Sequence, residues 1–178
     1  MISLIYTIGH SNRPIEDFIQ ILKAHQTECV VDVRTIRRSR HNPQFNADAL
    51  EPSLKKATIL YVALPRLGGL RKPRKDSCNL GWRNASFRGF ADYMETPEFE
   101  EGVRELIALA EKKRTAIMCA EAVYWRCHRS LIADTLLARG MTALHIFDDQ
   151  KVEPHRLTAF GRIEEGRVTY PTDQASLL

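Results

Sequence analysis

The chain has 178 residues, 44% of them apolar and 27% charged, which is globular composition and excludes disordered or collagen-like structure. At this length a chain buries roughly 70% of its unfolded surface, so neither a metal nor a disulfide is required for folding. No apolar run approaches the ~18–20 residues of a membrane span, and the opening Met1–Tyr6 has no basic segment of a signal peptide. The expectation is one cytoplasmic domain over residues 1–178, with Cys29, Cys78, Cys119 and Cys127 as reduced thiols.

Short apolar runs alternate with amphipathic stretches, the pattern of a parallel sheet covered by helices. Leu4–Ile8 reads as the first strand, ended by Gly9. A helix follows from Pro14 to about Ala24, with Asn12 as its expected cap. Val30–Val33 is the second strand, about Ala47–Lys56 a weaker helix, and Ile59–Val62 the third strand. Residues 64–88 are too long for a mere connection and read as a functional loop region. Helix resumes near Gly89–Met94. Thr96-Pro97-Glu98 then opens a second helix with a cap, a first-turn proline and an acid, reaching about Lys112. Thr115–Met118 is the fourth strand, about Cys127–Ala138 a helix, and Ala143–Phe147 the fifth strand. Glu165-Gly166 marks a terminal hairpin. The fold class is α/β, a Rossmann-like three-layer domain with about five mostly parallel strands and a long basic loop after the third.

The net charge of +4 is unevenly spread. Arg34–Arg88 holds 13 Lys/Arg against 3 Asp/Glu, and the remainder holds 13 against 19. Such a basic middle segment suits phosphate or nucleic acid as partner, although solvated surface charge gives the same pattern. Phe45, Trp82, Phe87, Phe90 and Tyr93 interleave with it, as base stackers or as core under a long loop.

Reactive residue types recur just after strands: Gly9-His10-Ser11, Asp32-Val33-Arg34, Leu67-Gly68-Gly69 and Cys119-Ala120-Glu121. In a parallel sheet these positions share the carboxyl edge, where open α/β folds bind ligands. Cys127-His128-Arg129 opens the next helix. Neighbouring cations and a helix N-terminus favour thiolate there, whereas Cys119 alone reads equally as a small buried residue. The loop between Cys119 and Arg126 holds Tyr124 and Trp125 but no glycine, which does not suit a tight phosphate cradle.

Three readings follow. The first is an enzyme acting on a phosphate-bearing substrate, a nucleotide or nucleic acid. Cys119, Glu121, Cys127 and His10 would be its catalytic candidates. Ser11, Asp32, Arg34, Arg40, Gly68, Gly69, Arg126, His128 and Arg129 would bind, with no metal ligand. The second is a nucleic-acid-binding module without catalysis. The third is a protein holding a metal through Cys119, Cys127, His128 and His10. Against it stand a spacing unlike C-x-x-C and the adjacency of Cys127 and His128. No membrane partner is expected.

Together these segments resemble the uncharacterised bacterial family called domain of unknown function 488. The resemblance rests on Thr7-Ile8-Gly9-His10-Ser11, Asp32-Val33-Arg34, Ser39–Phe45, Leu67-Gly68-Gly69, Gly81–Asn84, Phe87–Met94, Met118–Glu121 and Cys127-His128-Arg129. It spans residues 7 to about 147 and implies the α/β fold and the residue cluster, but no reaction.

Overall fold

A computed structural model of the chain describes residues 4–172. Five parallel strands form the sheet: β1 (Leu4–Gly9), β2 (Cys29–Asp32), β3 (Leu60–Ala63), β4 (Thr115–Cys119) and β5 (Thr142–Ile146). A sixth, β6 (Val152–Pro154), runs antiparallel against β5, giving the order β3-β2-β4-β1-β5-β6. The periodicity of the sequence locates the five parallel strands. It misses β6, a three-residue edge strand that contains a proline and no apolar run.

Because side chains alternate across a strand, the sheet feeds two apolar layers. Ile5, Val31, Val33, Ile117, Cys119 and Ala143 point to one side. They meet α3 (Ala85–Tyr93), α4 (Pro97–Ala110) and α5 (Arg129–Ala138) through Phe90, Phe99, Val103, Leu106, Leu131 and Ile132. Tyr6, Ile8, Val30, Ala116, Met118 and Ile146 point to the other side. There they meet α1 (Ile15–Ala24) and α2 (Ala47–Lys56) through Phe18, Leu22, Leu50 and Leu54. The layers are therefore three, as the sequence pattern implies. Among the described residues no helix is long and apolar enough to cross a membrane.

The helix ends refine the sequence reading in three places. Helix α1 starts behind Pro14 without a side-chain cap, so Asn12 does not have the capping role expected of it. Helix α3 begins four residues before Gly89. The Asn84 side chain caps it, accepting from Ser86 and Phe87 N–H, and so takes residues 85–88 out of the presumed loop. Gly89 masks that helix in the sequence but is required in it, since a Cβ there would lie 2.0 Å from the Arg71 carbonyl oxygen. Helix α5 starts at Arg129 rather than Cys127, behind a short 3-10 turn, Tyr124–Arg126. The expected terminal hairpin is present as β7 (Arg162–Glu164) and β8 (Arg167–Thr169). Val168 of β8 and the adjacent Tyr170 cover α5, which explains why that helix is buried on nearly all sides.

The connections also locate a crevice. Strands β1 and β4 are neighbours, yet β1 leads to α1 on one face of the sheet and β4 to α5 on the other. Loops leaving adjacent strands in opposite directions open a gap at the carboxyl edge. The first residues beyond the strands still pair, His10 N–H with the Cys119 carbonyl at 2.9 Å and Ser11 N–H with Ala120 at 2.9 Å. Gly9 allows that approach, because a Cβ there would stand 1.8 Å from the Glu121 carbonyl oxygen.

Candidate functional site

The sequence-derived residues gather at this carboxyl edge in two groups, one on each face of the sheet. Asp32, the last residue of β2, is fully buried and receives four hydrogen bonds. Three come from Arg34: backbone N–H at 3.1 Å, Nε at 2.9 Å and a terminal nitrogen at 2.7 Å; the Tyr61 hydroxyl donates at 2.7 Å. Arg34 also donates to the Phe45 carbonyl and to His10 Nε2, at 2.8 and 3.2 Å. His10 lies stacked on Phe45 and donates from Nδ1 to the Ser11 carbonyl at 2.7 Å, which leaves Nε2 as the acceptor for Arg34. Burial, with the Arg34 charge beside it, lowers the His10 pKa to about 4.

A cleft of about 420 Å³ opens above this group. His10, Ser11, Arg34, Ile36, Arg38 and Glu121 are among the residues lining it. Ser11 sits there with φ of 50°, and Glu121 is exposed. Arg40 and Arg126 are exposed on the loops after β2 and β4.

The second group lies on the opposite face. Cys119 Sγ is 4.0 Å and Cys127 Sγ 3.7 Å from His128 Nδ1, and the three atoms all lie within 4.8 Å of one another. The adjacency of Cys127 and His128, which the sequence reading counted against joint ligation, does not keep their side chains apart. Cys127 follows the 3-10 turn in an extended conformation and His128 is helical, so the two point to one spot. His128 Nε2 sits 3.0 Å from both the Val33 and Leu67 carbonyls. Carbonyls only accept, so the proton is on Nε2 and Nδ1 presents its lone pair to the sulfurs. His10 is not in this cluster.

Gly69 packs on the same ring, where a Cβ would approach Nδ1 to 3.1 Å, and Gly68 packs on Thr35. Burial pushes the Cys127 thiol up, but the hydrogen bond from Cys119 and the Arg129 charge act against it, and Cys127 is held well below an ordinary thiol. Cys119, donating to Cys127 and itself buried, is raised well above. Both N–H groups that Arg129 turns to Cys127, backbone and Nε, lie 3.4 Å from its sulfur.

Arg129 leads into a buried chain that the sequence reading did not assemble. One terminal nitrogen donates to the Glu121 carbonyl at 2.6 Å, the other to Thr7 Oγ1 at 3.3 Å. Thr7 passes its hydroxyl proton toward His145 Nδ1 at 2.6 Å. His145 Nε2 donates to His155 Nδ1 at 2.9 Å, and His155 Nε2 to Asp134 at 2.7 Å. Asp134 also accepts from Thr158 and from the Tyr170 hydroxyl, each at 2.7 Å. With both imidazoles neutral, every donor meets an acceptor. The available signals were His145 inside an apolar strand and Asp134 inside an apolar helix, each needing a partner elsewhere.

The chain's charge state gives a pH prediction. Burial, with the Arg129 charge nearby, lowers the His145 pKa to about 3. The unfolded chain takes up that proton near pH 6.5 and the folded chain only near 3, so stability is lost as pH falls through this window. Urea midpoints should therefore drop between pH 7 and 4.5, with His145 contributing on the order of 2–3 kcal/mol. His145→Gln, already destabilised at pH 7, should show a correspondingly shallower decline; an equal slope would refute the assignment.

The family model described as "Domain of unknown function DUF488" matches residues 14–136. The chain belongs to this family. The DUF488 match is narrower than the span the motifs suggest and takes in Asp32, Arg34, Cys119, Cys127, His128 and Arg129, while His10, Ser11 and His145 fall outside it. No curated protein and no solved structure matches the chain.

Proposed function

We propose that Cys119, Cys127 and His128 bind one thiophilic divalent ion of the zinc class. The observation that carries this reading is the convergence of two sulfurs and an imidazole lone pair whose opposite N–H is fixed by two carbonyls. Metal-bound histidines hold their second nitrogen in this way. For tetrahedral zinc, bonds of about 2.3 Å to sulfur and about 2.0 Å to nitrogen place those atoms roughly 3.6 Å apart. The two sulfur–nitrogen distances, 3.7 and 4.0 Å, need only a small contraction.

Three protein ligands leave a fourth position for a further donor such as water. Sulfur and imidazole together suit zinc or iron and do not suit magnesium or calcium. Cys127 as a free nucleophile is the weaker reading, because it is 3% exposed and does not line the cleft.

Elemental analysis of the purified chain should give about one zinc or iron per molecule. After chelation, zinc should bind again at one equivalent and release protons from the thiols. Uptake of no metal, or of metal without a defined stoichiometry, would overturn the reading.

A further inference from the structure

The cleft above the His10–Asp32–Arg34 group, across the sheet from this centre, has features that the metal site does not use. Arg34 is 4% exposed and reaches the cleft wall. A guanidinium has five N–H donors. Nε gives one to Asp32, one terminal nitrogen bonds both Asp32 and the Phe45 carbonyl, and the other gives one to His10. Among the described residues the fifth donor has no partner, on a cation whose position is already set by four hydrogen bonds. A buried, pre-oriented N–H of this kind calls for an anionic oxygen.

The rim extends the same chemistry. Arg38 lines the cleft and meets only an exposed carboxylate, Asp48, at 3.7 Å. Arg37 and Arg40 on the loop after β2 and Arg126 on the loop after β4 have no acidic partner among the described residues. Next to Arg126, Trp125 is 54% exposed, and Ile36 on the loop after β2 is 64% exposed. The loops that carry these residues are tied to one another below the surface. Thr35 Oγ1 donates to the Gly69 carbonyl at 2.7 Å, and His128 bridges Val33 and Leu67. Cations flanking a concave site and large apolar side chains held out in water thus occur together on one edge of the sheet.

We infer that this edge binds single-stranded nucleic acid, with a backbone phosphate on the fifth Arg34 N–H and a base stacked on Trp125. Charge complementarity selects a polyanion, because Arg34 and Arg38 in the cleft, with Arg40 and Arg126 exposed on loops at the same edge, exceed what a single phosphate needs. A single strand is selected over a duplex because the rim consists of loops around a concavity. Duplex grooves are instead entered by a protruding helix or ribbon. This surface does not depend on the metal reading, since neither Trp125 nor the arginines belong to the Cys119–Cys127–His128 set.

The test is fluorescence anisotropy of a labelled 12-nucleotide oligothymidylate with the chain as purified, its metal content measured on the same sample. Three or four phosphate contacts predict affinity falling roughly 20- to 50-fold between 50 and 200 mM salt. Arg40→Glu with Arg126→Glu, both exposed, should weaken binding and flatten that salt slope. Trp125→Ala should weaken binding by roughly 5- to 150-fold and leave the slope unchanged, the signature of lost stacking. Three results would overturn the inference: no binding at 50 mM salt, a matched duplex held as tightly as the single strand, or no effect of Trp125→Ala. Because binding and metal content are read separately, either idea can fail without the other.

Discussion

Cys127→Ser should bind zinc more than about 100-fold more weakly than the unaltered chain, which exceeds the usual effect of losing a supporting hydrogen bond. A hydroxyl at neutral pH keeps its proton and does not replace a thiolate as a ligand. The substitution also removes the atom to which Arg129 turns two N–H groups. The measurement is competition with a chromophoric chelator, supported by cobalt substitution, whose thiolate-to-metal charge-transfer band should shrink in the variant. Cys29→Ser and Cys78→Ser provide the controls. Cys29 lies at the opposite, amino end of β2, and Cys78 is exposed beside Glu95. Both should bind zinc as the unaltered chain does. If Cys127→Ser bound normally, or if Cys78→Ser lost the metal, the assigned centre would be wrong.

Such a centre is only half legible in a sequence. The strand ends announce themselves, because Val30-Val31 and Ala116–Met118 are short apolar runs that lead into Asp32 and Cys119. A parallel sheet then puts those residues on one edge. What the pattern does not carry is which face each side chain takes. Cys119 shares its face with Ile117, and Asp32 shares the other with Val30, so residues expected in one pocket separate into two groups back to back. A one-residue difference in where a strand ends decides the matter. Adjacency misleads similarly at Cys127-His128, where a change from extended to helical backbone within two residues aims both side chains at one point.

The long loop shows the converse. Gly89 and the Pro/Gly spacing before it argue against helix, yet the Asn84 cap and the close pass of Arg71 over Gly89 define α3. That close approach is tertiary, and no local propensity contains it. The Arg129–Thr7–His145–His155–Asp134 chain is another case. Its members lie up to 148 positions apart in sequence, from Thr7 to His155, and only the β1–β5 pairing and the β6 edge bring them into register.

The Asp32–Arg34 pair should dominate the chain's sensitivity to single substitutions. Asp32→Ala leaves a guanidinium that is 4% exposed without its carboxylate, and it deprives the Tyr61 hydroxyl of its acceptor. Breaking a buried ion pair from one side costs about 3–5 kcal/mol, because the surviving charge stays desolvated. That is a large share of the 5–15 kcal/mol by which domains are usually stable. Removing both charges, as Asp32→Ala with Arg34→Leu, leaves no stranded cation and should recover about 2 kcal/mol or more, despite the lost Phe45 and His10 contacts. The measurement is chemical denaturation of the two single variants and the pair, at constant pH. The same cycle separates stability from binding. The double variant should fold better than Asp32→Ala yet bind oligothymidylate worse than the unaltered chain, because Arg34, which lines the cleft, is gone. A pair less stable than Asp32→Ala alone would mean that Arg34 supports the β2 edge by contacts other than its charge.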